Sequence, residues 1–134
     1  MKKKTDNLSF ILKPSTISGA GVGIFVLHDV AKGTYVELFL KDFQEELRDE
    51  KDVPRELRGY CLNHEDEKLL CPKYFRRMDI GNHLNHSENP NVRHEKGKGY
   101  FALRDIMAGE ELFANYRELD KPKNKEDEYY NSNA

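Results

Sequence analysis

The chain has no run approaching the roughly 18–20 consecutive apolar residues that a membrane-spanning helix requires, so it is not expected to cross a bilayer. Its basic start, Met1-Lys2-Lys3-Lys4, is followed by no apolar stretch, and it does not read as a secretory signal. An intracellular setting, cytoplasmic or nuclear, is the expectation. Cysteine is scarce: Cys61 and Cys71 are too few for a disulfide scaffold and read as reduced, small packing residues. No excess of positive charge exists either, since 22 Lys and Arg face 24 Asp and Glu for a formal charge of −2. That balance argues against a dedicated nucleic-acid binder. There is no internal repeat, and 134 residues suit one domain.

What is present is a heavily charged chain, 34% Asp, Glu, Lys and Arg against 37% hydrophobic residues, which implies a modest core. Glu45-Glu46 and Glu65-Asp66-Glu67 are acidic clusters that could attract a cationic peptide; the plainer reading is a solvated face. Short β elements divided by turns dominate. Alternation over Leu8, Phe10 and Leu12 predicts a first strand ended by Pro14. A glycine-rich turn, Ser15 to Gly23, leads into the strand Ile24–Leu27, and Tyr35–Leu40 forms another apolar run. Phe43 and Leu47 stand at helical spacing within Asp42–Asp49, and Pro54 opens a second helical turn that Gly59 ends. Tyr60–Leu62 and Lys68–Cys71 read as strands around a charged loop. Tyr100–Leu103 and Leu112–Tyr116 follow tight turns at Gly97-Lys98-Gly99 and Ala108-Gly109-Glu110. Residues 1–7 are expected to be a flexible arm, 8–118 the folded domain and 119–134 a polar tail. The fold class is mainly β with short helices.

Three segments can carry chemistry. Gly19-Ala20-Gly21-Val22-Gly23 permits unusual backbone angles and close approach of a ligand to backbone groups, though a plain hairpin turn would look the same. It lacks the strand-before, helix-after context of a dinucleotide loop. Gly81 to Asn91 is polar and irregular, and such a segment must satisfy its hydrogen bonds internally or line a binding site. Gly109-Glu110-Glu111-Leu112-Phe113-Ala114-Asn115-Tyr116 ends in a tyrosine on the same strand face as Leu112 and Ala114, which alone suggests a core residue. Cys61, His64, Cys71, His83, His86 and His94 raise a zinc question, but the Cys61–His64 pair has no second close pair at finger spacing. His83 and His86 sit in a poor helix. No metal is expected.

Taken together and in order, these segments make the chain resemble the SET-domain family of protein lysine methyltransferases over about residues 8 to 118. The residues that carry the likeness are Gly19 to Phe25, Asn85-His86-Ser87 with Pro90-Asn91, and Gly109-Glu110-Glu111-Leu112 followed by Asn115-Tyr116. The resemblance implies several small sheets with a C-terminal pseudoknot, in which the last strand threads past the Asn-His-Ser segment. It implies S-adenosylmethionine as cofactor, met by backbone groups of Ala20, Gly21 and Val22, the Asn85 side chain and the His86 backbone. Tyr116 would orient the reacting methyl and amine, and Tyr60 would share the lysine channel and the catalytic role. The partner is then a protein or peptide bearing a lysine, such as a histone or another basic protein, with no nucleic acid bound directly. A second copy of the chain is a further candidate partner. A catalytically weak protein-binding module is the alternative.

The departures matter as well. Many members carry a cysteine after Asn-His-Ser and a cysteine-rich zinc segment after the final tyrosine; here Glu88 takes the first place and no cysteine follows Tyr116. The arginine common three positions before Asn-His-Ser is Asn82. Tyr129 and Tyr130 of the tail are candidates to close the lysine channel.

Overall fold

A computed structural model describes residues 3–119. Ten short strands and five 3-10 turns make up the regular structure of this span. Strand β1 (Phe10–Pro14) pairs antiparallel with β2 (Val22–Val26), joined by the glycine-rich turn. Gly19 and Gly21, at φ of 83° and 72°, adopt the left-handed backbone that the turn demands and that a side chain would strain. Strand β3 (Tyr35–Val36) joins β9 (Gly99–Ala102) and β8 (Val92–Glu95) in one antiparallel sheet. Another sheet has the order β4 (Glu45–Asp49), β6 (Lys68–Pro72), β5 (Leu62–His64). The last contact is parallel, between β7 (Asn85–His86) and β10 (Phe113–Ala114).

The main core gathers Ile24, Val26, Val36, Val92, Ile106 and Leu112, none more than 1% exposed. Ile24, Phe25 and Val26 are buried consecutively instead of alternating. β1 covers one edge of their strand, and Val26 N–H donates to Glu110 O while Leu112 N–H donates to Ile24 O on the other. Flanked on each edge, the strand lies inside the fold, and Ile24 and Val26 join the main core. A smaller core of Val53, Leu69 and Cys71 lies under the β4-β6-β5 sheet.

Several expectations need correction. The helix predicted over Asp42–Asp49 is absent, and β4 takes its place. Phe43 and Leu47 have helical spacing, but Leu47 faces Leu70 across β6 and Asp49 faces Lys68, with a 2.7 Å ion pair. Cross-strand partners decided an ambiguous pattern. The first strand starts at Phe10, leaving Leu8 78% exposed. The apolar run Tyr35–Leu40 yields only a two-residue strand. Tyr60 closes the 3-10 turn Arg55–Tyr60, so the next strand begins at Leu62. Residues 3–5, expected within a flexible arm, are held on β3: Thr5 N–H donates to Tyr35 O, Tyr35 N–H to Lys3 O, and Thr5 is buried. Glu65-Asp66-Glu67 is a hairpin tip, with Asp66 and Glu67 both at positive φ and Lys68 N–H bonded to Glu65 O. Among the described residues no helix is long and apolar enough to cross a membrane.

Candidate functional site

Glu111 is the junction of the site. Its carboxylate is buried, and its Oε1 accepts from Thr16 N–H at 2.8 Å and Thr16 Oγ1 at 2.7 Å. Oε2 accepts from Ser15 Oγ at 2.8 Å and Asn85 Nδ2 at 3.1 Å. Four donors from two distant segments thus converge on one carboxylate, the arrangement that lets a charge be buried. Asn85 Nδ2 also donates to Val22 O at 3.0 Å, tying the glycine-rich turn to β7. Gly23 is required here for space: a Cβ would lie 2.0 Å from Glu111 Oε2 and 3.2 Å from Asn85 Nδ2.

The polar segment after Asn85 holds β10 from both ends. Ser87 N–H donates to Ala114 O, and Asn91 N–H to Phe113 O. The buried Asn91 side chain then takes Phe113 N–H on Oδ1 and gives Nδ2 to Glu111 O, each at 2.8 Å. These bonds replace the sheet partners that a two-residue strand lacks.

Beyond β10 the chain enters a 3-10 turn, Tyr116–Glu118, capped by Asn115 Oδ1 accepting from Arg117 N–H. Tyr116 is therefore off the strand face shared by Leu112 and Ala114; those two are core, while Tyr116 is half-buried beside a cleft. Its N–H donates to His86 Nδ1 at 3.0 Å, and the two rings lie 5.4 Å apart. An accepting Nδ1 puts the imidazole proton of a neutral ring on Nε2, 3.4 Å from Glu88 Oε1. Glu88 also pairs with Arg117. The Tyr116 hydroxyl donates to Leu84 O, which fixes the ring and leaves the oxygen's lone pairs for other contacts.

The cleft is a narrow slot of about 60 Å³ walled by Phe39, Tyr60, Tyr100 and Tyr116, with Leu62, Leu70, Leu84 and Leu119. Gly81 lets Phe39 approach: a Cβ there would meet its ring at 2.3–2.8 Å. Burial pushes the Tyr100 hydroxyl up to about 12, helped by the nearby charge of Glu45. Among the described residues Glu45 is the sole charged residue lining the slot, and partial burial of its carboxyl raises its pKa although the residue as a whole is exposed. Tyr60 packs edge-on against His83, whose rings lie 5.4 Å apart and whose pKa burial lowers.

A family model of the SET domain matches residues 21–117. The chain belongs to the SET domain family. That family comprises methyltransferases that use S-adenosylmethionine. Among solved structures, a Plasmodium falciparum protein assigned as a histone methyltransferase is similar at a TM-score of 0.51 and 20% identity, over 87% of this chain and 95% of that one. The structure of ctPRC2 in an autoinhibited conformation bound to S-adenosylmethionine gives a TM-score of 0.54 and 21% identity. That match covers 81% of this chain but only 15% of the other. At such identities the likeness concerns the fold. No curated protein matches by sequence.

Within this SET domain, Val22, Asn85, His86 and Tyr116 form one connected cluster, and Tyr60 meets Tyr116 in the slot. Ala20 and Gly21 stay in the turn: Ala20 N–H is engaged by Ile17 O, and Gly21 O by Ser15 N–H. Tyr129 and Tyr130 lie outside the described residues. The former zinc candidates are dispersed, since among the described residues no three His, Cys, Asp or Glu are placed to share a metal. Sequence reasoning gave no role to Glu111, Asn91, Tyr100 or Phe39, and named Glu45 only within an acidic pair that could attract a cationic peptide. Glu111 and Asn91 stood inside the quoted motifs and were legible there as polar residues flanked by core positions. Tyr100 and Phe39 had no local signal, because only the packing of separate sheets brings them to Glu45.

Proposed function

We propose that this SET domain transfers a methyl group from S-adenosylmethionine to the side-chain amine of lysine in a protein substrate. The observation that carries the reading is Tyr116. Its hydroxyl is anchored on Leu84 O, its N–H on His86, and its ring walls an aromatic slot beside the Asn85–Glu111 junction.

The chain suits this cofactor. Asn85 Oδ1 has no partner among the described residues, while its Nδ2 is held by Val22 O and Glu111, so an oriented acceptor faces outward. Nothing lies within 4 Å of a Cβ built on Gly21, which leaves that backbone open to a ligand. His83 Nδ1, buried and without a partner among the described residues, would be satisfied by a bound polar group. Asn85 and the backbone of Gly21, Val22 and His86 would hold the cofactor, which supplies an electrophilic methyl on a sulfonium centre.

The remaining work falls to alignment. The slot is narrow enough to guide a slim alkyl chain, and Tyr116 Oη can accept weak C–H···O contacts that fix the approach. Ordering two reactants can supply on the order of 7–11 kcal/mol of the barrier. A free lysine has a pKa of roughly 10.4, and apolar walls favour its neutral, nucleophilic form. Protein substrates with exposed lysines, histones among them, are the class this implies, and Cys61 and Cys71 as thiols, donating to Leu57 O and Leu69 O, suit a reducing, intracellular setting.

Tyr116→Phe tests the assignment. Methyl transfer to basic peptides should fall by at least tenfold, with S-adenosylmethionine affinity by calorimetry within about twofold. Equal turnover would remove Tyr116 from its role. Cofactor binding with no transfer by the wild type would favour the binding-module alternative.

A further inference from the structure

Glu45 opens β4, the edge strand of its sheet, and lines the slot with Tyr60, Tyr100 and Tyr116. No counter-charge meets it among the described residues, and its field reaches the Tyr100 hydroxyl. A carboxylate partly stripped of water and left without a cation is unfavourable, and a cation that arrives there relieves that cost. Aromatic faces on the other walls attract the same kind of guest.

We propose that Glu45 determines specificity by pairing with the ammonium group of the substrate's lysine at the mouth of the slot, so that cationic side chains are admitted and neutral ones turned away. The proposal rests on the methyl-transfer reading. Glu45 is a positioning residue and not a base, because a carboxylate is a far weaker base than an amine and leaves the proton on nitrogen. The pair must break, and the amine must lose its proton to water, before it can attack. Glu45 therefore stabilises the bound substrate and not the transition state, so it lowers KM and kcat together and leaves kcat/KM nearly unchanged.

The test uses the whole chain, a lysine peptide drawn from a basic library and its norleucine counterpart. Calorimetry should show the wild type preferring lysine by about fivefold, a typical worth for a partly exposed charge pair. Glu45→Gln should abolish that preference and raise KM and kcat together, each about fivefold, while Glu45→Asp restores most of the preference. The wild-type preference should also weaken in high salt. An unchanged lysine preference in Glu45→Gln, or a lowered kcat at constant KM, would overturn the proposal. Selective lysine binding through Glu45 without methyl transfer would sustain the pairing and refute the methyl-transfer reading instead.

Discussion

Glu111→Gln is the sharpest probe of the junction. The substitution keeps the volume but replaces one acceptor oxygen with an NH₂ group. Oε1 serves two Thr16 donors, and Oε2 serves Ser15 and Asn85. Whichever way the amide turns, its NH₂ faces one N–H donor whose bond is lost, from Thr16 or Asn85, while the hydroxyl beside it must reverse to accept and every remaining bond loses its charged partner. Hydrogen bonds to a charged group contribute about 1.5–3 kcal/mol each. Ser15 and Thr16 lie near solvent, so water can replace part of what they lose, and the net cost is about 3 kcal/mol. For a chain of this size that lowers Tm by about 10 °C. Urea unfolding monitored by circular dichroism should show a lower midpoint at unchanged m. A second variant checks the cause: Gly23→Ala places a Cβ 2.0 Å from Glu111 Oε2 and must push the carboxylate off its donors. The two lesions then damage one junction, and the double variant should lose clearly less than the sum. A Tm drop under about 2 °C for Glu111→Gln, or strictly additive losses, would refute the reasoning.

Tyr100 gives a pH signature. Its hydroxyl titrates at about 12 in the folded chain against 10.0 when free, so the folded state holds the proton more tightly. The resulting stability, about 3 kcal/mol, is complete below pH 10 and lost as pH rises towards 12. Denaturation midpoints across that window should fall more steeply for the wild type than for Tyr100→Phe. Gly81→Ala should press on the Phe39 ring and cost about 1–3 kcal/mol by overpacking, measured as a shifted urea midpoint. The Glu88–Arg117 pair is largely exposed, so a double-mutant cycle with alanine at both positions should return less than about 1 kcal/mol, and less again in 1 M salt.

That ion pair also shows how far sequence can be read. That position 88 carries glutamate where many family members carry cysteine was plain from the sequence. What that glutamate meets, Arg117 with His86 alongside, needed the fold, because no rule of spacing connects residues 29 apart in separate turns. The β4 segment fails for a related reason. Phe43 and Leu47 fit a helix as well as a strand, and only Leu70 and Lys68 across the sheet decide between them.

Residues in motifs were fixed by chain chemistry. Glycines at 19 and 21 follow from positive φ, Asn85-His86-Ser87 and Asn115-Tyr116 from polar side chains that must replace missing ladder bonds, and the family from their order along the chain. Local sequence carries the turn and cap part of this information, because those bonds close within a few residues. The slot is different: Phe39, Glu45, Tyr60, Tyr100 and Tyr116 come from separate elements, and only Tyr60 and Tyr116 were marked for it, by the family resemblance. Burial and charge depend on neighbours far away along the chain, so only the packing of the sheets could make them one site.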